Sequence, residues 1–342
     1  MMAAARPLGL TMGEPAGIGG DIALAAWAGR GVRPVPPFVL LDDPGRLTAL
    51  ATRLGLDVPV RVVGEGELAA VPDLFDHALP VMPVPLSVPV VAGQPDPANG
   101  AAVIAAIDRA VELTRAGLLA GMVTNPIQKS ALYATGFRWP GHTEYLAHLA
   151  GLPDDGTVML LEGGGLRVVL ATIHLALKDV AAALTEDAIC HVARITQAAL
   201  IRDFGIAVPR LAVAALNPHA GEGGAMGREE MEIIAPAIAR LKAEGIAASG
   251  PFPADTLFHA GARAHYDAVV CMYHDQGLIP LKTLDFDTGV NVTLGLPFVR
   301  TSPDHGTALS LAGTGKASAS SLIAALHRAA AIADRRDGGL HV

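Results

Sequence analysis

Short apolar runs of strand length alternate with longer amphipathic stretches along this 342-residue chain, and that alternation leaves few architectures open. PFVLLDD (37–43), GLLAGMVT (117–124), RLAVAALNPH (210–219) and DAVVCMYH (267–274) have the length and apolar density of buried strands. The intervening NGAAVIAAIDRAVELTRAG (99–117) puts Val103, Ile107, Ala110, Val111 and Thr114 on one helical face and stops at Gly117. EDAICHVARITQAALIRDFG (186–205) opens with acids and closes on glycine, and GREEMEIIAPAIARLKAEG (227–245) and KASASSLIAALHRAAAIADRR (316–336) are also helical in pattern. Strands buried on both faces need helices over them, so the expectation is a mainly parallel sheet in a three-layer α/β/α arrangement. TVMLL (157–161) and RVVLATIH (167–174), joined by EGGG, predict one hairpin and hence an antiparallel element in the middle.

Composition narrows the function. Aromatic residues make up 4% of the chain and the formal net charge is −8, a poor match to a base-stacking module or an anionic-membrane binder; a local phosphate pocket stays open. Cys190 and Cys271, both in apolar surroundings, build neither a disulfide framework nor a cysteine zinc site, which fits a reducing cytoplasm. The N-terminus is too short in apolar residues for a signal peptide. The uncharged run 78–95 carries Pro80, Pro83, Pro85, Pro89 and Pro95, so it reads as extended chain or loop and not as a membrane span.

Three strands run into a histidine: His174, His219 and His274. Ligands of open α/β sheets sit outside the carboxyl ends of the strands. One such histidine is ordinarily just a hydrogen-bonded strand exit. Three at equivalent exits, on one rim or meeting across a dimer, suit a divalent cation with positions left for substrate. Asp275 either orients His274 or caps a turn at Gly277. GHTEYLAHLAG (141–151) puts His142 and Thr143 at a helix start, where they serve as a phosphate site or as ordinary capping, with Thr143 the N-cap. Lys282, Asn291 and Arg300 lie in a turn-rich segment (280–308) and suit phosphate or carboxylate recognition; solvated surface is the alternative. Asp255, among prolines, is a cap or a partner for a cationic group. The glycines of MGEPAGIGGD, NPHAGEGGAMG and GTGKAS match neither a dinucleotide fingerprint nor a P-loop.

Taken together, TMGEPAGIGGD, TNPIQK, GHTEYLA, ATIHLAL, LNPHAGEGG, GPFPADTLF, YDAVVCMYHDQGLIPLKTLDF and GVNVTLGLPFVRTSPDHGTA resemble the 4-hydroxythreonine-4-phosphate dehydrogenase family of vitamin B6 biosynthesis, over about residues 10–326. The resemblance implies the isocitrate/isopropylmalate dehydrogenase-like fold. It implies two α/β subdomains around an active-site cleft, one formed by both chain ends (1–130 and 300–342) and one spanning 131–299. It implies a cytoplasmic homodimer whose active site is shared between subunits. It also implies NAD or NADP as hydride acceptor and one divalent cation (zinc, magnesium, cobalt or manganese) on His174, His219 and His274. Substrate contacts fall on His142, Thr143, Lys282, Asn291 and Arg300, with Lys282, Asp255 and Asp275 in catalytic roles. Leu309 and Ser310 depart from the family's usual pattern after TSPDHGTA and affect the cofactor-side loop. Within the family, a sugar-acid phosphate (threonate 4-phosphate) or an aromatic dicarboxylate cis-dihydrodiol are alternative substrates. Outside it, a phosphoryl- or acyl-transferase or a non-catalytic metal-binding protein are the competing classes.

Overall fold

The computed structural model describes residues 6–338, which divide into two compact units: 6–154 with 296–334, and 155–295 with 335–338. The first unit contains β1 (Leu8–Thr11), β2 (Phe38–Asp42), β3 (Val60–Val62), β4 (Leu79–Pro83), β5 (Met122–Thr124) and β12 (Arg300–Pro303). Its strands run β3-β4-β2-β1-β5-β12, every neighbouring pair parallel. All of β1 and β2 is buried, which is why both read as uninterrupted apolar runs. Helices Gly19–Ala28, Pro44–Leu54, Gly100–Arg115 and Ser320–Gly338 belong to this unit apart from the last turn of the fourth. Val103, Ala106, Ile107 and Ala110 of the Gly100 helix pack with Val39 and Leu41 of β2, each valine, leucine and isoleucine contributing about 1.5–3 kcal/mol by leaving water.

The second unit contains β6 (Val158–Gly163), β7 (Leu166–Leu170), β8 (Arg210–Ala214), β9 (Ala247–Phe252), β10 (Ala268–Cys271) and β11 (Val290–Leu294), ordered β11-β6-β7-β10-β8-β9. Strand β6 is antiparallel to both β11 and β7; the remaining pairs are parallel. The expected hairpin is β6–β7, and Gly164 and Gly165, both at positive φ, make its two-residue turn. The α/β/α reading therefore holds. Within the stretch read as extended chain or loop, β4 is extended and pairs with β2 and β3; β9 differs from expectation, lying in a glycine- and proline-containing stretch without a strand pattern. Among the described residues no helix is long and apolar enough to cross a membrane.

Within the second unit, the end of the C-terminal helix is held by charge. Asp203, 2% exposed at its side chain, accepts from Arg336 (Nε, 2.7 Å) and from Arg202 (Nε, 2.7 Å; Nη2, 2.8 Å). Burial raises the Asp203 pKa, but the hydrogen bonds and charges of the two arginines outweigh it and hold the carboxyl below its ordinary value. A depressed carboxyl pKa stabilises the fold above the unfolded value and loses that contribution as pH falls through the folded value. Asp203→Ala is expected to cost about 2 kcal/mol at neutral pH and to flatten the acid limb of the stability profile; chemical denaturation from pH 7 to pH 3 measures both.

Candidate functional site

The first unit gathers positive groups at the carboxyl edge of its sheet. Arg300 opens β12 beside β5, 4% exposed, and donates to Thr124 Oγ1 from Nε (3.2 Å) and Nη2 (2.7 Å). Burial pushes its pKa down to about 10, with Glu144 opposing, so the guanidinium stays charged at neutral pH. His142 begins the helix His142–Ala150, whose N-cap, Gly141, provides no side-chain cap. Its Nε2 is buried with no partner among the described residues. Burial, then the charges of Arg300 and Lys129, hold its pKa well below 6.5, so the ring is neutral. A Cβ at Gly141 would stand 3.9 Å from Lys129 Nζ, which places that ammonium at the same helix start. Two cations, a neutral imidazole and an amino end with open N–H groups make an anion pocket. Thr143 lies inside the helix rather than at its N-cap, so the expected capping role is not taken.

Three further buried polar atoms in this unit lack partners among the described residues: Thr11 Oγ1, Asn125 Oδ1 and His305 Nε2. Each follows or ends a strand of the parallel set, β1, β5 or β12. Hydrogen bonds to backbone carbonyls lock the loops there: Glu14 N donates to Pro126 O (2.8 Å), the Asn125 side-chain Nδ2 to Thr11 O (3.0 Å), and Ile18 N to Thr307 O (3.1 Å). A Cβ on Gly13, at φ +67°, would meet Pro126 O at 2.6 Å, so only glycine permits that approach. Buried polar atoms each cost about 1–3 kcal/mol unless something supplies their hydrogen bonds, and a bound ligand does so. Lys129, Asn125 and His305 went unassigned in the sequence; for Asn125 and Lys129 the signal available was that TNPIQK directly follows an apolar run.

The second unit carries the remaining predicted residues. Strand β10 stops at Cys271, and His274 begins a helix, His274–Leu284, rather than ending a strand before a turn. Gly277 is therefore a packing residue: a Cβ there would meet Leu170 Cδ2 at 3.1 Å, Cys271 Sγ at 3.2 Å and Val168 Cγ2 at 3.3 Å. Gln276 fixes the helix start, accepting from Met272 N (2.7 Å) and donating to Ala215 O (2.6 Å). Lys282 is on the same helix and Asn291 on β11, so with Arg300 on β12 none of the three lies in a turn. Asn291 Oδ1 is buried and lacks a partner among the described residues, and Lys282 Nζ lies 5.5 Å from the Phe286 ring centroid.

His174 lies four residues beyond β7, and its ring centroid is 6.0 Å from that of His274. His274 Nδ1 is 2.7 Å from Asp275 Oδ1, which leaves Nε2 as the nitrogen for a ligand role. The two histidines and Asp275 line one cavity of about 460 Å³, while Asp255 and Asp275 line another of about 420 Å³. His219 lies in a left-handed turn, with His219 at φ 52°, Ala220 at 54° and Glu222 at 44°. Glu230 anchors this strained turn by accepting from Leu216 N (2.9 Å) and Asn217 N (2.7 Å). Among the described residues no three His, Cys, Asp or Glu side chains form a group able to hold a metal ion. His174 and His274, sharing one cavity, are placed to act on one ligand; His219 lines neither that cavity nor the neighbouring one.

A parallel α/β scaffold with a buried anion pocket on one unit and paired imidazoles beside a carboxylate on the other defines an α/β enzyme of small-molecule metabolism. The family model of pyridoxal phosphate biosynthetic protein PdxA matches residues 36–329, and the chain belongs to that family. A 4-hydroxythreonine-4-phosphate dehydrogenase of Methylorubrum populi is 53% identical over 335 residues, covering 96% of this chain and 95% of the relative. The solved 4-hydroxythreonine-4-phosphate dehydrogenase of Klebsiella pneumoniae aligns at TM-score 0.85 and 37% identity, over 96% of this chain and 100% of that one. A terephthalate 1,2-cis-dihydrodiol dehydrogenase of Burkholderia xenovorans aligns at TM-score 0.63 and 30% identity, over 96% and 98%.

The depressed His142 pKa has a direct readout. In a pH titration followed by NMR, the His142 ring signals are expected to stay neutral as the pH falls through 6.5, and Arg300→Met to move the midpoint upward. An ordinary midpoint near 6.5 in the unmodified protein would contradict the pocket's electrostatics.

Proposed function

We propose that this chain is a 4-hydroxythreonine-4-phosphate dehydrogenase acting in pyridoxal phosphate biosynthesis. It oxidises 4-phosphooxy-L-threonine at C3 with NAD or NADP as acceptor, and the β-keto acid then loses CO2 to give 3-amino-2-oxopropyl phosphate. The observation that carries the reading is the buried, charged Arg300 beside neutral His142 at a helix amino end, in a chain whose 53% identical relative bears that name. Such a pocket suits a doubly charged phosphate or a carboxylate.

In this mechanism Arg300, Asn291, His142 and Thr143 hold the anionic ends of the substrate. Being neutral, His142 contributes a directional hydrogen bond and no charge. Asp255 or Asp275 takes the substrate ammonium. Lys282 supplies positive charge, or a proton, near C3. The C3 hydroxyl gives up its proton as hydride leaves the same carbon, and the carboxylate carbon departs as CO2 with its bonding pair passing to C2, which is then protonated. His174, His219 and His274 would hold a divalent cation, which supplies electrostatic stabilisation to the oxygen on C3 through both steps. Because no three potential ligands gather among the described residues of one chain, the full set is assigned to a homodimer. The exposed Leu175, Leu177 and Ile279 near His174 and His274 support an apolar contact with a second copy.

The runner-up is a dehydrogenase for an aromatic dicarboxylate cis-dihydrodiol, favoured by the likeness to the terephthalate dihydrodiol enzyme, or for threonate 4-phosphate. The test is NADH or NADPH formation from each substrate, with chelator and with zinc, manganese or magnesium restored. The expected outcome is metal-dependent turnover of 4-phosphooxy-L-threonine, reduced about 10–100-fold or more in His219→Ala with an unchanged unfolding midpoint. Turnover only of the non-phosphorylated dihydrodiol would replace this reading with the runner-up.

A further inference from the structure

No role falls to Lys129, Gly141 or Glu144 in the mechanism, yet the three meet at the start of the His142 helix. A Cβ built on Gly141 would lie 3.9 Å from Lys129 Nζ, 3.8 Å from Lys129 Cε and 3.4 Å from Glu144 Oε2. Lys129 opens a separate short helix, Lys129–Tyr133, and Glu144 stands in the first turn of His142–Ala150. Two elements of the first unit therefore bring an ammonium and a carboxylate to one point beside Gly141. That glycine is extended, at φ −175°, a conformation open to any residue, and the atoms a Cβ would meet belong to flexible side chains at ordinary contact distance. The backbone does not demand a glycine here. What the glycine preserves is open space between two charges and the N–H groups of a helix start.

Charge decides what fits that space. His142, the next residue, has its buried Nε2 without a partner among the described residues. After burial, the charges of Arg300 and then Lys129 act on its ring, and the Glu144 carboxylate acts in turn on Arg300. The helix start thus feels two cations and one anion that belongs to the chain itself. A monoanionic carboxylate brings no more negative charge than Glu144 already supplies. A phosphate dianion brings twice as much, and its attraction to a fixed cation grows in proportion. We propose that Lys129 is a specificity-determining residue: its ammonium, facing Glu144 across the space that Gly141 keeps open, selects a phosphate dianion over a carboxylate. The proposal rests on the 4-phosphooxy-L-threonine reading for the molecule that carries the phosphate, and on the charges around Gly141 for the preference itself.

The test uses probes that cannot turn over. Calorimetry on the full-length protein at about pH 8, where a phosphate monoester is a dianion, would compare methyl phosphate with acetate. Methyl phosphate is expected to bind, and acetate to bind about tenfold more weakly or not measurably. Lys129→Gln should weaken methyl phosphate about tenfold and acetate, where measurable, only about threefold, while Lys129→Arg keeps most of the affinity. Gly141→Ala, which places a methyl group in the space, should weaken methyl phosphate about tenfold or more with an unchanged unfolding midpoint. Equal affinity for the two anions in the unmodified protein, no binding of methyl phosphate, or full methyl phosphate affinity in Lys129→Gln or Gly141→Ala overturns the proposal. Steady-state kinetics separate it from the substrate reading. Lys129→Gln should raise the KM for 4-phosphooxy-L-threonine rather than lower kcat. If methyl phosphate depends on Lys129 but 4-phosphooxy-L-threonine is not oxidised, the proposal stands and the substrate reading falls. If that substrate is oxidised with the same KM in Lys129→Gln, the proposal falls alone.

Discussion

A guanidinium buried to 4% exposure on a sheet strand is the constraint around which the first unit's chemistry is arranged. Taking such a charge out of water costs several kcal/mol, and the hydroxyl of Thr124 on the neighbouring strand returns only part of it. The pKa of Arg300 is lowered only to about 10, so the charge persists, and after burial it is the next largest influence that keeps the His142 ring neutral. The parallel pairing of β5 with β12 sets Thr124 and Arg300 on adjoining strands, so the electrostatics of the pocket depend on sheet register.

Much of this was legible in the sequence, for identifiable reasons. The runs at β2, β5, β8 and β10 stand out because buried strands are dominated by apolar residues, and the β6–β7 hairpin announces itself through consecutive glycines. The boundaries at the histidines were less legible. MYHDQG has the residues of a turn, yet its glycine serves helix-on-sheet contact, and a glycine cannot show in sequence which of the two it does. Lys282 and Asn291 likewise hid in apparent turns, because a helix that contains Pro280 and a strand as short as Val290–Leu294 both lack a long periodic pattern. The pairing of Thr124 with Arg300 spans 176 positions and has no local signature at all.

The left-handed turn that carries His219 shows another kind of expense. Ala220 and Glu222 sit beside it at positive φ, where side chains crowd the backbone, and such strain persists only when surrounding bonds over-determine it. Glu230 does this with a carboxylate that is buried yet still held below its ordinary pKa, by hydrogen bonds from Asn217 and Leu216 that outweigh the burial. A histidine on an ordinary turn would cost less, so the conformation selects for where the imidazole is presented and not for stability.

Gly277 seats the His274 helix directly on Leu170, Cys271 and Val168. One rigid rod therefore carries His274, Asp275 and Lys282, spaced over two turns, and rests on the side chains of two sheet strands. Its height above the sheet is set by the bulk of those core residues. Diversification of substrate length within such a scaffold can thus be written into the hydrophobic core: one methylene more or less at position 168 or 170 would raise or lower all three polar groups together, with no exchange among the residues that face the substrate.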